Sequence, residues 1–321
     1  MGLTLPSLGF GTAPIGGLYQ AVGDDDALAA IDAAWGAGIR FYDTAPHYGL
    51  GLAERRLGRA LAGRPRDELV LSTKVGRLLV PNASGQAQRD TEGFDVVSDT
   101  RRQWDFTRDG VRRSLAASLD RLGLDRVDVV LLHDPDEHWR TAVSEGYPAL
   151  AELRAEGVVR AIGAGMNQWQ MLADFVREVD LDLVLVAGRY TLLDQSAAAE
   201  LLPLCAKRGV TVVAGGVFNS GLLADGDPGA GARFDYREAP ADLLDRARAI
   251  AAVCARHGVS LPQAALAFPP RHPAVASVLV GMRSAAEVAE NMALARRPVP
   301  SDLWPDLIAA GLLSPAEPRV L

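Results

Sequence analysis

Four ionisable side chains of this chain have types and positions that suit acid–base chemistry at a carbonyl or carbinol group. Asp43 and Tyr48 lie in FYDTAPHYG, Lys74 ends LVLSTK, and His133 ends VDVVLLH. A tyrosine, whose pKa is ordinarily near 10, exchanges protons poorly at neutral pH unless its phenolate is stabilised. The sequence places a lysine, a carboxylate and a histidine where they could provide that stabilisation.

A lysine ammonium close to Tyr48 is the simplest source of such stabilisation. At about 4 Å and an effective dielectric constant of roughly 20, one unit charge contributes about 4 kcal/mol, so a lowering of the pKa of Tyr48 by about one to three units is physically available. Asp43 pairs with Lys74 and opposes its loss of a proton, while His133 can hydrogen-bond the substrate oxygen. Because no nucleophile or metal cage accompanies these groups, a second reactant must carry the electrons.

Taken singly, each of these residues has an ordinary structural explanation, so the chemistry depends on elements that bring them together. Short apolar runs, typical of strands buried on both faces, recur along the chain with helix-like segments between them. The predicted strands are Leu8–Thr12, Ile39–Asp43, Leu69–Thr73, Val127–Leu132, Val159–Ala164, Leu183–Val186, Val210–Ala214 and Val275–Val280.

Amphipathic segments of a length suited to crossover helices separate these strands, and several end at a glycine. The predicted helices are Asp25–Gly36, Ala53–Ala62, Arg108–Leu122, Arg140–Glu156, Gln168–Val179, Ala197–Arg208 and Asp242–His257. Eight strands without a linker predict one α/β domain over 1–321, a closed (β/α)8 TIM barrel. A doubly wound sheet is disfavoured because no complete G-x-G-x-x-G motif is present. In a barrel the four side chains meet at the carboxyl ends of the strands.

One segment falls outside this alternation. Val75–Thr107 is predicted as a loop of more than thirty residues after the third strand, which favours a lid or binding loop on the catalytic face over disorder. We expect this loop, with His47, Trp139 and Phe218, to shape a substrate pocket.

Composition and charge limit the classes of partner. The chain of 321 residues has a net charge of −7 and no basic stripe, so nucleic acid and anionic membranes are not expected partners. No apolar run of about eighteen residues and no signal-like start are present, which favours a cytoplasmic protein with a small-molecule substrate. Cys205 and Cys254 are expected to be buried free thiols.

The motifs also resemble a known family. DTAPHYGLGLAERRLG, STK, the strand-ending LLH and the late VGMRSAAEVAEN are similar, in order and spacing, to the aldo-keto reductase superfamily. The resemblance implies a (β/α)8 barrel and a catalytic tetrad of Asp43, Tyr48, Lys74 and His133. It also implies NADP or NAD as the cofactor, with hydride transfer while Tyr48 moves the proton.

The resemblance further implies where the cofactor binds. The segment from Gly281 begins a helix, whose N-terminus attracts phosphate oxygens; Arg283 could face the adenosine phosphate, and Glu287 and Asn291 the adenine. The full set of expected cofactor residues is Gly11, Thr12, Asn167, Ser220, Gly221, Leu222, Gly281, Met282, Arg283, Ser284, Glu287 and Asn291.

Three positions depart from the common family pattern. Ala187 replaces a glutamine, Gly215 a tyrosine and Met166 a serine, so Phe218 or Asn219 is expected to contact the nicotinamide instead. These departures resemble the subgroup of aldose and pyridoxal dehydrogenases, which implies oxidation of a cyclic hemiacetal to a lactone. The alternatives are a reductase of small aldehydes or ketones, a metal-dependent barrel hydrolase using HDPDEH, and a non-catalytic cofactor-binding subunit.

Overall fold

Eight parallel strands close into a barrel in the computed structural model, which describes residues 3–226, 228–229 and 231–314. Each strand pairs with the next along the chain, and the eighth pairs with the first, which confirms the predicted (β/α)8 fold. The barrel strands are β1 Leu8–Gly11, β2 Phe41–Asp43, β3 Val70–Val75, β4 Val129–His133, β5 Ala161–Met166, β6 Leu183–Ala187, β7 Thr211–Gly215 and β8 Val275–Gly281.

Helices surround the barrel. They are α1 Asp24–Gly36, α2 Leu52–Leu61, α3 Arg108–Leu122, α4 Tyr147–Ala155, α5 Trp169–Glu178, α6 Leu201–Arg208, α7 Ala241–Arg256, α8 Leu261–Ala267, α9 Ala285–Arg296 and α10 Leu303–Ala309, with a three-residue helix at Trp139–Thr141. Single 3₁₀ turns lie at Pro14–Gly16, Arg66–Glu68, Asp136–His138, Ser196–Ala198, Asn219–Gly221 and Pro269–Arg271. No helix in the described part of the chain is long and apolar enough to cross a membrane.

The predicted helix Arg140–Glu156 is wrong as a single element. A five-residue π-helical turn, Ala142–Gly146, separates Trp139–Thr141 from α4. Pro148 lies in the first turn of α4, where it can donate no backbone hydrogen bond to the preceding turn. The wider turn directly precedes the turn that contains this proline.

The two-residue period of the strands decides which side chains enter the barrel. Phe41, Val70, Leu131 and Leu279 belong to a separate buried cluster of nine apolar side chains, distinct from the larger core that includes the helices. Asp43 lies two residues after Phe41 and therefore points to the same side of β2. In the same way His133, the last residue of β4, lies two residues after Leu131 and points inward. Polar groups therefore follow the apolar interior layers at the carboxyl ends of the strands.

The long segment after β3 has its own structure. Arg77–Pro81 pairs antiparallel with Thr100–Trp104, and Gln88–Arg89 pairs with Val97–Ser98. Phe94 bridges to Leu18 near β1. The predicted loop thus contains two short hairpins, one nested inside the other, and extends over the catalytic end of the barrel. Its position is clear from Arg77 and Phe94, which line a cavity together with Lys74 and His133 at the ends of β3 and β4.

Candidate active site

Lys74 connects two of the other sequence-predicted residues. Its ammonium donates to Asp43 Oδ2 at 2.5 Å, to Tyr48 Oη at 2.9 Å and to the Thr44 carbonyl at 3.1 Å, which uses all three of its donors. Ser72 Oγ donates to the other oxygen of Asp43 at 2.5 Å. Lys74 and Asp43 are each only 1% exposed. The ammonium is therefore fixed against the phenolic oxygen by a fully buried carboxylate.

The turn that carries Tyr48 depends on close backbone contacts. Gly49 and Gly51 have positive φ values of 59° and 80°, which glycine adopts without strain in a tight turn. A Cβ on Gly49 would lie 2.1 Å from the carbonyl oxygen of Gly16, so only glycine fits there. The turn then enters α2, where buried Glu54 accepts from Thr73 Oγ1 at 2.9 Å and from Arg121 at 2.6 Å. These contacts hold the phenol at the end of β2 and β3.

Burial and charge act in opposite directions on the two reacting groups. Burial raises the pKa of Tyr48 more than the charge of Lys74 lowers it, so the expected lowering is wrong for this structure. Burial lowers the pKa of Lys74, but the attraction of Asp43 and Tyr48 outweighs it and raises the net pKa. At neutral pH the site therefore holds a protonated phenol beside a charged lysine.

His133 lies at the end of β4 with its ring edge-on to Tyr48, the centroids 5.8 Å apart. Burial, with the charges of Arg77 and Lys74, lowers the pKa of His133 far below its ordinary value, so the imidazole is neutral. Its Nδ1 is buried and has no partner among the described residues, whereas Nε2 lies 3.6 Å from Asp134 Oδ2. A proton on Nε2 avoids burying an unpaired N–H and gives His133 a donor towards the cavity.

Two adjoining cavities meet at Tyr48. The smaller, of about 240 Å³, is lined by Lys74, His133 and His47 and lies under the hairpins of the long segment. The larger, of about 440 Å³, extends from Tyr48 across the ends of β1, β6, β7 and β8 to α9. Phe218 lines the larger cavity and not the smaller one. Trp139 lines neither cavity, since its ring packs on Phe175 at a centroid distance of 4.5 Å.

Most of the expected cofactor residues line the larger cavity. Those that do are Gly11, Thr12, Asn167, Ser220, Gly221, Gly281, Arg283, Glu287 and Asn291. Leu222 and Met282 are buried in the core instead. Ser284 caps α9, accepting from the Glu287 backbone N–H at 3.2 Å. These last three residues therefore support the cavity wall from behind.

The larger cavity fits a long, phosphorylated nucleotide. Thr12 Oγ1 is buried at its wall with no hydrogen-bond partner in the described part of the chain, so an acceptor or donor is missing there. Gly215 and Gly281 leave the wall without side chains; a Cβ on Gly281 would lie 2.8 Å from Pro14. At the far end, the guanidinium of Arg283 and the N-terminus of α9 both favour an anion.

Three residues considered for contact with a nicotinamide differ in whether their side chains already have hydrogen-bond partners. Asn219 has both ends of its amide engaged, accepting from Thr191 Oγ1 at 2.6 Å and donating to the Gly188 carbonyl at 3.2 Å. Asn167 donates to the Ala187 carbonyl at 3.0 Å. Phe218 carries no polar group to engage; it is partly buried against the core and also lines the larger cavity, where it can contact a bound ring.

Several cavity residues were not predicted from the sequence. Arg77, Glu92, Phe94 and Asp134 line the smaller cavity, and Tyr236 lines both cavities. Asp134 follows His133 directly, so its position was visible in HDPDEH, but its direction depends on a positive φ. Arg77, Glu92 and Phe94 lie in Val75–Thr107, the segment predicted to shape the pocket, but no local pattern indicates which of its side chains enter the cavity. For Tyr236 the alternation of strands and helices gives no signal.

The histidines of HDPDEH do not converge. His138 lies against Trp104 and Phe106, with centroids 5.4 and 5.6 Å away. Among residues 3–226, 228–229 and 231–314 no group of three or more His, Cys, Asp or Glu side chains is arranged to hold a metal ion.

Comparison with known proteins agrees with this geometry. The chain matches the model of the aldo/keto reductase family over residues 7–309. It is 51% identical to a D-threo-aldose 1-dehydrogenase from a Pseudomonas species, covering 97% of this chain and 96% of the relative. It is 40% identical to a pyridoxal 4-dehydrogenase from Microbacterium luteolum, covering 98% and 96%.

A solved structure supports the same assignment. The holo form of an aldo-keto reductase from Bacillus halodurans superposes with a TM-score of 0.75 at 25% identity, covering 97% of this chain and 93% of the other. The closed barrel, the family match and these relatives together establish that the chain belongs to the aldo/keto reductase family and is an NAD(P)-dependent oxidoreductase.

Proposed function

We propose that this protein oxidises the C1 hemiacetal of an aldose, or the hemiacetal of pyridoxal, to a lactone with NAD⁺ or NADP⁺. The observation that carries the proposal is the contact of Tyr48 Oη with Lys74 Nζ at 2.9 Å, at the junction of a small polar cavity and a long cleft. The relatives named as aldose and pyridoxal dehydrogenases support the choice of substrate class.

In the proposed reaction the hemiacetal loses a hydride from carbon and a proton from oxygen. A bound nicotinamide supplies the acceptor for the hydride. Tyr48 Oη takes the proton, and Lys74 stabilises the phenolate that must form first. His133, neutral and donating from Nε2, orients the reacting oxygen. Asp43 keeps Lys74 charged and in place.

An initial-rate screen tests this proposal. Aldoses, pyridoxal and simple aldehydes are assayed with both nucleotides in both directions by nicotinamide absorbance, and the product is identified as a lactone by mass spectrometry. We expect oxidation of at least one cyclic hemiacetal. Binding of nucleotide without turnover of any substrate would support a non-catalytic subunit instead.

Reduction of small aldehydes is the second candidate, because burial raises the pKa of Tyr48 and makes it a proton donor at neutral pH. The two directions differ in their pH dependence. Oxidation needs the phenolate, so its kcat/KM rises from pH 7 to 9; reduction needs the phenol and does not rise over that range. Initial rates at saturating nucleotide measure both. An oxidation rate that is constant over this range would assign the proton to another group.

The nucleotide preference is open to a direct test at Arg283. Its guanidinium pairs with Glu287 at 3.1 Å at the far end of the cleft. We expect Arg283→Ala to weaken NADPH binding by about 10- to 100-fold and NADH binding by less than threefold, because a charge-assisted bond to the extra phosphate is lost. Fluorescence titration gives both dissociation constants. Arg296→Ala, at the other end of α9, removes the same charge as a control; equal losses for both nucleotides in Arg283→Ala would contradict this role.

A further inference from the structure

Asp134 has a backbone conformation that non-glycine residues rarely adopt. Its φ is +43°, and its N–H is held by the Gly165 carbonyl at 3.1 Å. This conformation turns the carboxylate directly after His133 into the wall of the smaller cavity, with Oδ2 3.6 Å from His133 Nε2. Strain of this kind persists where the surrounding structure imposes it, often at a binding site.

Arg77 is the partner of this carboxylate. Nη2 of Arg77 donates to Asp134 Oδ2, and Nη1 lies 3.1 Å from His47 Nδ1. The guanidinium is stacked over the ring of Trp104 at 4.2 Å, and its residue is 7% exposed. Arg77 is therefore a fixed donor fork and not a mobile surface side chain.

The pair is not required to hold the Lys74 cluster, because Asp43 and Tyr48 already engage that ammonium. Removing two charges from water costs free energy unless they gain other partners. Among the described residues, Arg77 and His133 both contact the Asp134 carboxylate at Oδ2. The Asp134 side chain is 24% exposed and lines the smaller cavity. Oδ1 is thus available as an acceptor beside the reacting centre.

We propose that the Arg77–Asp134 pair binds a substrate hydroxyl on the carbon next to the reacting carbon, and so selects polyhydroxylated substrates. A hydroxyl group both donates and accepts, which matches a carboxylate and a guanidinium placed side by side. The reacting oxygen bonds to His133 Nε2, and the neighbouring oxygen then lies within reach of Asp134. This inference rests on the proposed oxidation of a sugar hemiacetal.

The test compares two substrates that share the reacting ring. One is an aldopyranose that the wild-type enzyme oxidises, and the other is 2-hydroxytetrahydropyran, a six-membered hemiacetal with no other hydroxyl. We expect Asp134→Asn to lower kcat/KM for the aldopyranose about 10- to 100-fold, mostly through KM, and to change it less than threefold for 2-hydroxytetrahydropyran. Asp136→Asn removes the same charge two residues along, outside both cavities, and is expected to change neither.

Each other outcome has a defined meaning. Equal losses for both substrates would overturn the inference and leave Asp134 as a support for His133. Failure of the wild-type enzyme to oxidise any hemiacetal would overturn the proposed function, and this inference with it. If Asp134→Asn does not fold, Arg77→Lys keeps the positive charge but removes the fork. It should give the same selective loss for the aldopyranose, and an unselective loss would again overturn the inference.

Discussion

Tyr48→Phe is expected to lower kcat by about 10³-fold or more in either direction while nucleotide affinity stays within about twofold of wild type. The substitution removes only the phenolic oxygen that Lys74 contacts at 2.9 Å. Proton transfer by a positioned side chain typically contributes 10² to 10⁴ in rate. The phenyl ring still fits beside Phe94, whose centroid lies 6.1 Å away, and Lys74 keeps Asp43 as its partner. Steady-state rates and nucleotide titration measure the two quantities.

Tyr42, on the strand β2 that precedes the Tyr48 turn, provides the matched control. Tyr42 is fully buried on the outer face of β2, and its hydroxyl donates to the Ile39 carbonyl at 3.2 Å. Tyr42→Phe should cost about 1 kcal/mol of folding free energy and leave kcat unchanged. If Tyr48→Phe retained a tenth of wild-type turnover, Tyr48 would not be the group that exchanges the proton.

The sequence predicted the barrel and the meeting of four residues for one physical reason. A parallel strand buried on both faces is visible in the sequence as a short apolar run. Because side chains alternate between the two faces, the sequence also indicates which residue at the end of the strand points into the barrel. Asp43 and His133 end their strands in this way. Lys74 also points inward, although β3 continues to Val75 and not to the predicted Thr73.

The rest of the site depends on contacts between distant segments. Arg77 and Phe94 come from hairpins whose pairing register no local pattern sets. Trp139 is expected in the pocket from the sequence, but the direction of its ring follows from packing on Phe175 of α5. The direction of the pKa shift of Tyr48 does not follow from the sequence, because the attraction of one lysine can be anticipated from neighbouring strands, whereas desolvation depends on the complete fold.

Lys74→Met is expected to lower both the stability and the activity of the enzyme. It leaves the carboxylate of Asp43, 1% exposed, without its cation, although Ser72 Oγ still donates to it at 2.5 Å. Breaking a buried pair from one side typically costs about 3–5 kcal/mol. The free energy of unfolding from denaturant titration should fall by that amount. Turnover should fall by about 10³-fold or more, because no charge remains to stabilise the phenolate of Tyr48.

The double variant Asp43→Asn with Lys74→Met separates the two effects. With both charges removed, no uncompensated ion is buried, so most of the lost folding free energy should return. Activity should not return, because Tyr48 still lacks its cation. A double variant no more stable than Lys74→Met would mean that packing of the lysine side chain, and not the unpaired Asp43 charge, causes the loss. Recovery of turnover together with stability would mean that Lys74 serves only to hold the fold. The expected result, stability without turnover, assigns the ammonium of Lys74 to the proton chemistry of Tyr48.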